Sequence, residues 1–138
     1  MLSIRPEFAE KIFAGTKTVE LRRSRPRVKD GDWVLVYVSS PVKILMGMFQ
    51  VDGVHEGVPE CLWDELNDRA GVTREQFEAY YAGAERGVGI AVRSPTRLKH
   101  PLSLNQLRGA ISDFHPPQGF RYLTQHELHR FDLRSAFV

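Results

Sequence analysis

The stretch Gly15-Thr16-Lys17-Thr18-Val19-Glu20-Leu21-Arg22-Arg23-Ser24-Arg25-Pro26-Arg27 decides how this chain is read. Apolar and polar residues alternate in it, so Val19 and Leu21 share one face of a short strand over 18–23. Thr18, Glu20 and Arg22 take the other face, with Lys17 in the turn before it. An ammonium, a carboxylate and a guanidinium thus crowd one small surface. Arg22, Arg23, Arg25, Arg27 and Lys29 continue as a basic stripe, joined by Arg5 and Lys43 if their strands pair. Such a stripe attracts phosphate locally. The plain alternative is a solvated basic loop beside an ion-pair cluster of little energetic weight.

Outward from this strand, residues 2–5 read as a first strand, and Pro6 opens a helix that buries Phe8, Ile12 and Phe13 and ends at Gly15. Residues 33–38, continuously apolar and β-branched, read as the middle strand of a sheet covered on both sides. Residues 44–54 pair with it as a hairpin, and Gly47 and Gly53 permit curvature or close backbone approach. Helical patterns follow at 59–69 and 73–81, a strand at 87–92, a strand at 120–123, and capping-box spacings at Thr73/Gln76, Ser103/Gln106 and Thr124/Glu127. The order is that of an α+β protein: a small curved β-barrel decorated by helices.

The 138 residues amount to one domain spanning 1–138, with 42% hydrophobic and 26% charged residues and a net charge of +2. That charge is too small to mark a nucleic-acid binder by itself. No apolar run approaches the roughly 20 residues that span a bilayer, and the N-terminus lacks signal-peptide organisation. The expected location is the cytoplasm, without a membrane partner. Cys61, the only cysteine, excludes an internal disulfide and a cysteine-cluster zinc site; it reads as a small buried residue beside Leu62 and Leu66. His126 and His129 lack zinc-protease spacing and read as a solvated helix face, and Gly87-Val88-Gly89 lacks the lysine of a phosphate loop. No metal and no cofactor are expected. The helical pair at 59–81 superficially suggests a helix-turn-helix, but Glu75 and Glu78 on its second helix oppose a phosphate envelope.

The spacing Gly15, Lys17, Glu20, Arg22 (G-x-K-x-x-E-x-R) resembles the signature of the ASCH domain, a branch of the PUA-like β-barrel superfamily associated with RNA or modified-nucleotide recognition. His115-Pro-Pro-Gln-Gly-Phe-Arg-Tyr-Leu123 resembles a segment of ASCH-like proteins described as predicted transcriptional regulators, and residues 37–42 resemble the family's strand-end segment. The resemblance implies a cleft beside the barrel lined by Gly15, Lys17, Glu20, Arg22, Ser39, Ser40, Gln118 and Arg121. Arg23 and Arg25 border it, and Tyr37 or Tyr122 offers a ring for base stacking. The implied partner is RNA, single-stranded nucleic acid or a modified nucleotide. Lys17 would meet phosphate and Arg22 a phosphate or base edge; Glu20 would accept from an amino group such as that of cytosine or adenine, and Gln118 would both donate and accept.

Some small ASCH relatives are amidohydrolases of N4-acetylcytidine that use a lysine, a threonine three residues later and a downstream glutamate. This chain keeps Lys17 but has Glu20 at the threonine position and no clear glutamate at 68–71. A ribonuclease reading attached to other relatives likewise needs an acid–base pair, for which Lys17 and Glu20 are the candidates. A transcriptional regulator acting through protein partners is the remaining alternative.

Overall fold

The computed structural model describes residues 1–133. Strand β1 (Leu2–Ile4) leads into helix α1 (Pro6–Ala14), with Pro6 in its first turn and Gly15 at φ +85° closing it. Strand β2 (Val19–Arg22) follows at once; β3 (Trp33–Val38) and β4 (Ile44–Gly57) form the expected antiparallel hairpin. Helices α2 (Pro59–Leu66) and α3 (Arg74–Tyr81) precede β5 (Gly87–Ser103), and α4 (Leu104–Ala110) and α5 (Gln125–Arg130) complete the described elements. The three capping boxes read from the sequence are formed at α3, α4 and α5.

The strands make one sheet in the order β1-β3-β4-β5-β2, with β1 parallel to β3 and the other pairs antiparallel. This corrects the expected barrel. β1 and β2 are the two edges and no ladder joins them, so the sheet stays open. The edges nevertheless approach each other, for Arg22 Nη2 on β2 donates to the Ser3 carbonyl on β1 at 2.7 Å. β4 rather than β3 is the central strand, although β3 is covered on both sides as its sequence implies. Val34, Val36 and Val38 enter one core with Ile12 and Phe49, while Leu35 and Tyr37 enter a second with Leu107 and Phe114.

Three further expectations change. The strand at 120–123 reduces to an isolated bridge between Leu2 and Phe120. β5 runs on beyond residue 92 to Ser103, because its outer half keeps pairing with β4 through register shifts despite its prolines and charges. Cys61 is exposed rather than buried. It lies one residue, and therefore about 100° around the helix, from Leu62, which carries the inward stripe. α2 and α3 spend their apolar faces on β2: Leu62, Leu66, Phe77 and Tyr81 pack with Val19 and Leu21 in a third core. Packing, rather than presentation to a duplex, is the use the fold makes of this pair.

Gly47 shows why β4 and α1 can lie so close. A Cβ there would stand 2.3 Å from the Thr96 carbonyl oxygen and 2.7 Å from the Phe13 ring. We expect Gly47→Ala to destabilise the fold by about 1–3 kcal/mol, read as a lower urea midpoint with an unchanged m-value; an unchanged midpoint would contradict this packing.

Candidate functional site

The gap between the two sheet edges is a cavity of about 910 Å³. One wall is β1 and its exit, Ser3 to Arg5, and the opposite wall is Glu20 to Arg23 of the β2 segment. Ser39, Ser40 and Lys43 from the β3–β4 turn, the α3 face carrying Gln76, Phe77 and Tyr80, and Pro116 to Gln118 complete it.

Lys17 is only 2% exposed. Its ammonium donates to the Ala70 carbonyl and lies 5.3 Å from the centre of the Phe8 ring. The connector between α2 and α3 builds this position: Arg69 accepts from the Thr18 and Val19 amides, and Lys11 Nζ donates to the Gly71 carbonyl. Burial, opposed by the nearby Glu20 charge, holds the Lys17 pKa below the usual lysine value. Glu20, 8% exposed, leans into the cavity from the strand face opposite Val19 and Leu21. No ion pair joins it to Lys17 or Arg22 among the described residues, and its Oε2 has no hydrogen-bond partner. Arg22 spends Nη2 on Ser3 and packs over the Phe120 ring, but its buried Nε is likewise without a partner. Buried polar atoms are nearly always paired. The two adjacent exceptions are on the cavity wall.

Of the residues singled out in the sequence, Lys17, Glu20, Arg22, Arg23, Tyr37, Ser39, Ser40 and Gln118 line this cavity. Gly15 does not; it closes α1 and sets where Lys17 begins. Arg25 points elsewhere and pairs with Glu56 at 2.6 Å. Arg121 bonds Glu127 and packs over Phe114, and Tyr122 accepts from the Arg27 amide with its ring under the Arg27 guanidinium. Neither lines the cavity. Tyr37 reaches it from within a core, 3% exposed, so its ring is not a free platform. The aromatic that is both at the cavity and open is Tyr80, 39% exposed. Arg5 and Lys43, whose place depended on strand pairing, do stand at the cavity, and with Arg23 they form no ion pair among the described residues. His126 and His129 are exposed on α5.

An α+β domain with an open five-stranded sheet and a charged cleft at its seam is the class these features define. The ASCH domain pattern matches residues 2–92, and the chain belongs to the ASCH domain family. It is 30% identical over 127 residues to the ASCH domain-containing ribonuclease of Zymomonas mobilis, across 92% of this chain and 85% of that protein. The crystal structure of ASCH from Zymomonas mobilis superposes with a TM-score of 0.88 at 29% identity, covering 94% of this chain and 90% of that one. The large ribosomal subunit protein uL22 of Ureaplasma parvum is 26% identical over 124 residues, which is 89% of this chain and 38% of that longer protein.

Lys17→Met keeps the stem and removes the buried charge. At neutral pH it relieves the desolvation of the ammonium but deprives the Ala70 carbonyl of its donor and Glu20 of a nearby cation, so we expect a net change within about 1–3 kcal/mol. Because the folded-state pKa of Lys17 is lowered, the unfolded chain binds more protons between that value and the ordinary 10.5. The wild type therefore gains stability relative to Lys17→Met as pH rises through this window toward 10.5, read in urea titrations. Gly71→Ala tests the cradle, since its Cβ would stand 2.9 Å from Lys17 Cβ. It should displace the lysine stem and impair ligand binding while the fold persists by circular dichroism.

Proposed function

We propose that this protein binds RNA as a single strand, or a modified nucleotide of such a strand, in the cavity between the sheet edges. The observation that carries this reading is the pair of buried, unpartnered groups, Glu20 Oε2 and Arg22 Nε, side by side on β2. A carboxylate oxygen and a guanidinium N–H buried without partners are costly, and a ligand offering both an N–H and an acceptor satisfies them. A nucleobase edge has that chemistry. Arg5, Arg23 and Lys43 supply positive charge for the phosphates on either side. Tyr80 offers a ring on which a base can stack, worth about 1–3 kcal/mol in single-strand binding. Membership of the ASCH family, and the ribonuclease name carried by the Zymomonas relative, support RNA as the partner.

Strand cleavage is the second reading, and the lowered pKa of Lys17 beside Glu20 is what favours it. Attack by a ribose 2′-hydroxyl needs a proton acceptor, and departure of the 5′-oxygen needs a proton donor. Among the described residues no histidine lines the cavity, so those roles would fall to Lys17 and Glu20. The amidohydrolase reading gains nothing: at 68–71, where its glutamate was sought, the group on Lys17 is the Ala70 carbonyl.

Fluorescence anisotropy with a mixed-sequence single-stranded RNA separates these outcomes. A binder loses roughly tenfold or more in affinity when Lys17→Ala and Arg22→Ala are combined, with a salt slope shallower by about one for each phosphate contact removed. Intact affinity and slope would take the cavity out of the binding path. Under a ribonuclease, products accumulate in single turnover, and Lys17→Ala slows that step far more than it weakens binding.

A further inference from the structure

The edge of β2 carries a more specific message than a preference for RNA. We propose that the cavity selects guanine: the Glu20 carboxylate takes the two adjacent N–H groups of the guanine Watson–Crick edge, and Arg22 donates to its O6 carbonyl. This deepens the reading of the cavity as a site for single-stranded RNA and rests on it.

The argument starts from what is unspent. No hydrogen bond reaches the Glu20 carboxylate among the described residues, and its Oε2 is buried. A carboxylate holding both oxygens free is matched by two parallel donors, as when it meets a guanidinium. Among the unmodified RNA bases, guanine alone places two N–H groups next to each other, at N1 and at the 2-amino group. Cytosine and adenine follow their amino group with a ring-nitrogen lone pair, which would face the second oxygen and repel it. Uracil flanks its single N–H with a carbonyl on each side, and both would face carboxylate oxygens. The cytosine or adenine amino group that a lone acceptor would suit is therefore the poorer match.

Geometry supplies the third contact. Arg22 lies two residues from Glu20 on the same strand face, and its buried Nε is the neighbouring unpartnered donor. Next to N1–H on the guanine edge stands O6, an acceptor. The order acceptor, donor, donor along the base thus meets the order guanidinium, carboxylate along β2. Lys17, with one of its three donors on Ala70, lines the same cavity beside the carboxylate. The 910 Å³ cavity has room for the larger bases.

The test uses fluorescein-labelled heptanucleotides UUUXUUU, with X as guanosine, adenosine, cytidine, uridine or inosine, titrated by anisotropy, their integrity checked on gels. Guanosine should bind tighter than adenosine, cytidine and uridine by roughly tenfold or more, the discrimination a good bidentate base contact gives. Inosine keeps N1–H and O6 but lacks the 2-amino group, so it should fall between. Glu20→Gln should bring the guanosine and uridine probes to similar affinities, as an amide cannot accept two hydrogen bonds side by side. The inosine comparison needs no variant and stands even if Glu20→Gln folds poorly. Equal affinity for all probes, or a preference for cytidine or adenosine, overturns the guanine assignment while leaving RNA binding in place. Absence of binding to every probe overturns both.

Discussion

Everything in this site follows from a sheet that does not close. A sheet edge carries a row of backbone groups without ladder partners, and here the two edges face each other across a space too wide for direct pairing. Arg22 crosses it with one guanidinium nitrogen, satisfying the Ser3 carbonyl and fixing the distance between β1 and β2. The rest of the gap is left to side chains. Glu20 Oε2 and Arg22 Nε are consequently buried without a protein partner, a burden that stability alone gives no reason to keep.

Lys17 shows the same economy from another direction. It sits where α1 has ended and β2 has not begun, and no local preference explains why its long side chain is among the most buried in the molecule. The explanation is the α2–α3 connector, which accepts from the backbone of residues 18 and 19 and from both Lys11 and Lys17. The helical pair is thus more than padding on β2. Its apolar faces hold the strand, its connector holds the lysine, and its outer surface brings Tyr80 to the cavity.

Much of this could be read from the residues alone. The alternation around Val19 and Leu21 gave the correct faces of β2, and the turn chemistry and apolar runs gave the β3–β4 hairpin. Capping boxes located three helix starts. What escaped depended on distant partners. Pro95, Pro101 and the intervening charges concealed the outer half of β5, which is held as strand by β4. Arg121 and Tyr122 are close in sequence to Gln118, yet their side chains leave the cavity for Glu127 and for the Arg27 segment. Tyr80 was not among the residues read for the cavity, because helical periodicity ranks faces without saying what lies opposite them. Whether two edges meet is likewise a property of the whole sheet, which is why strand content suggested closure and the structure shows a seam.

The cavity has walls of unequal strength. On one side Glu20 and Arg22 belong to a strand held along its length by β5. Opposite them, the segment around Pro117 is tied to the start of the chain by the Ser3 hydroxyl, the Leu2–Phe120 bridge and a reciprocal pair of bonds between Met1 and Arg121, with Phe120 packed on the core. Local opening follows the path with the fewest bonds to break. The side bearing Glu20 and Arg22 is anchored in the sheet, whereas the side around Pro117 is tied to it at a few points, so the two walls of one cavity differ in how firmly they are held.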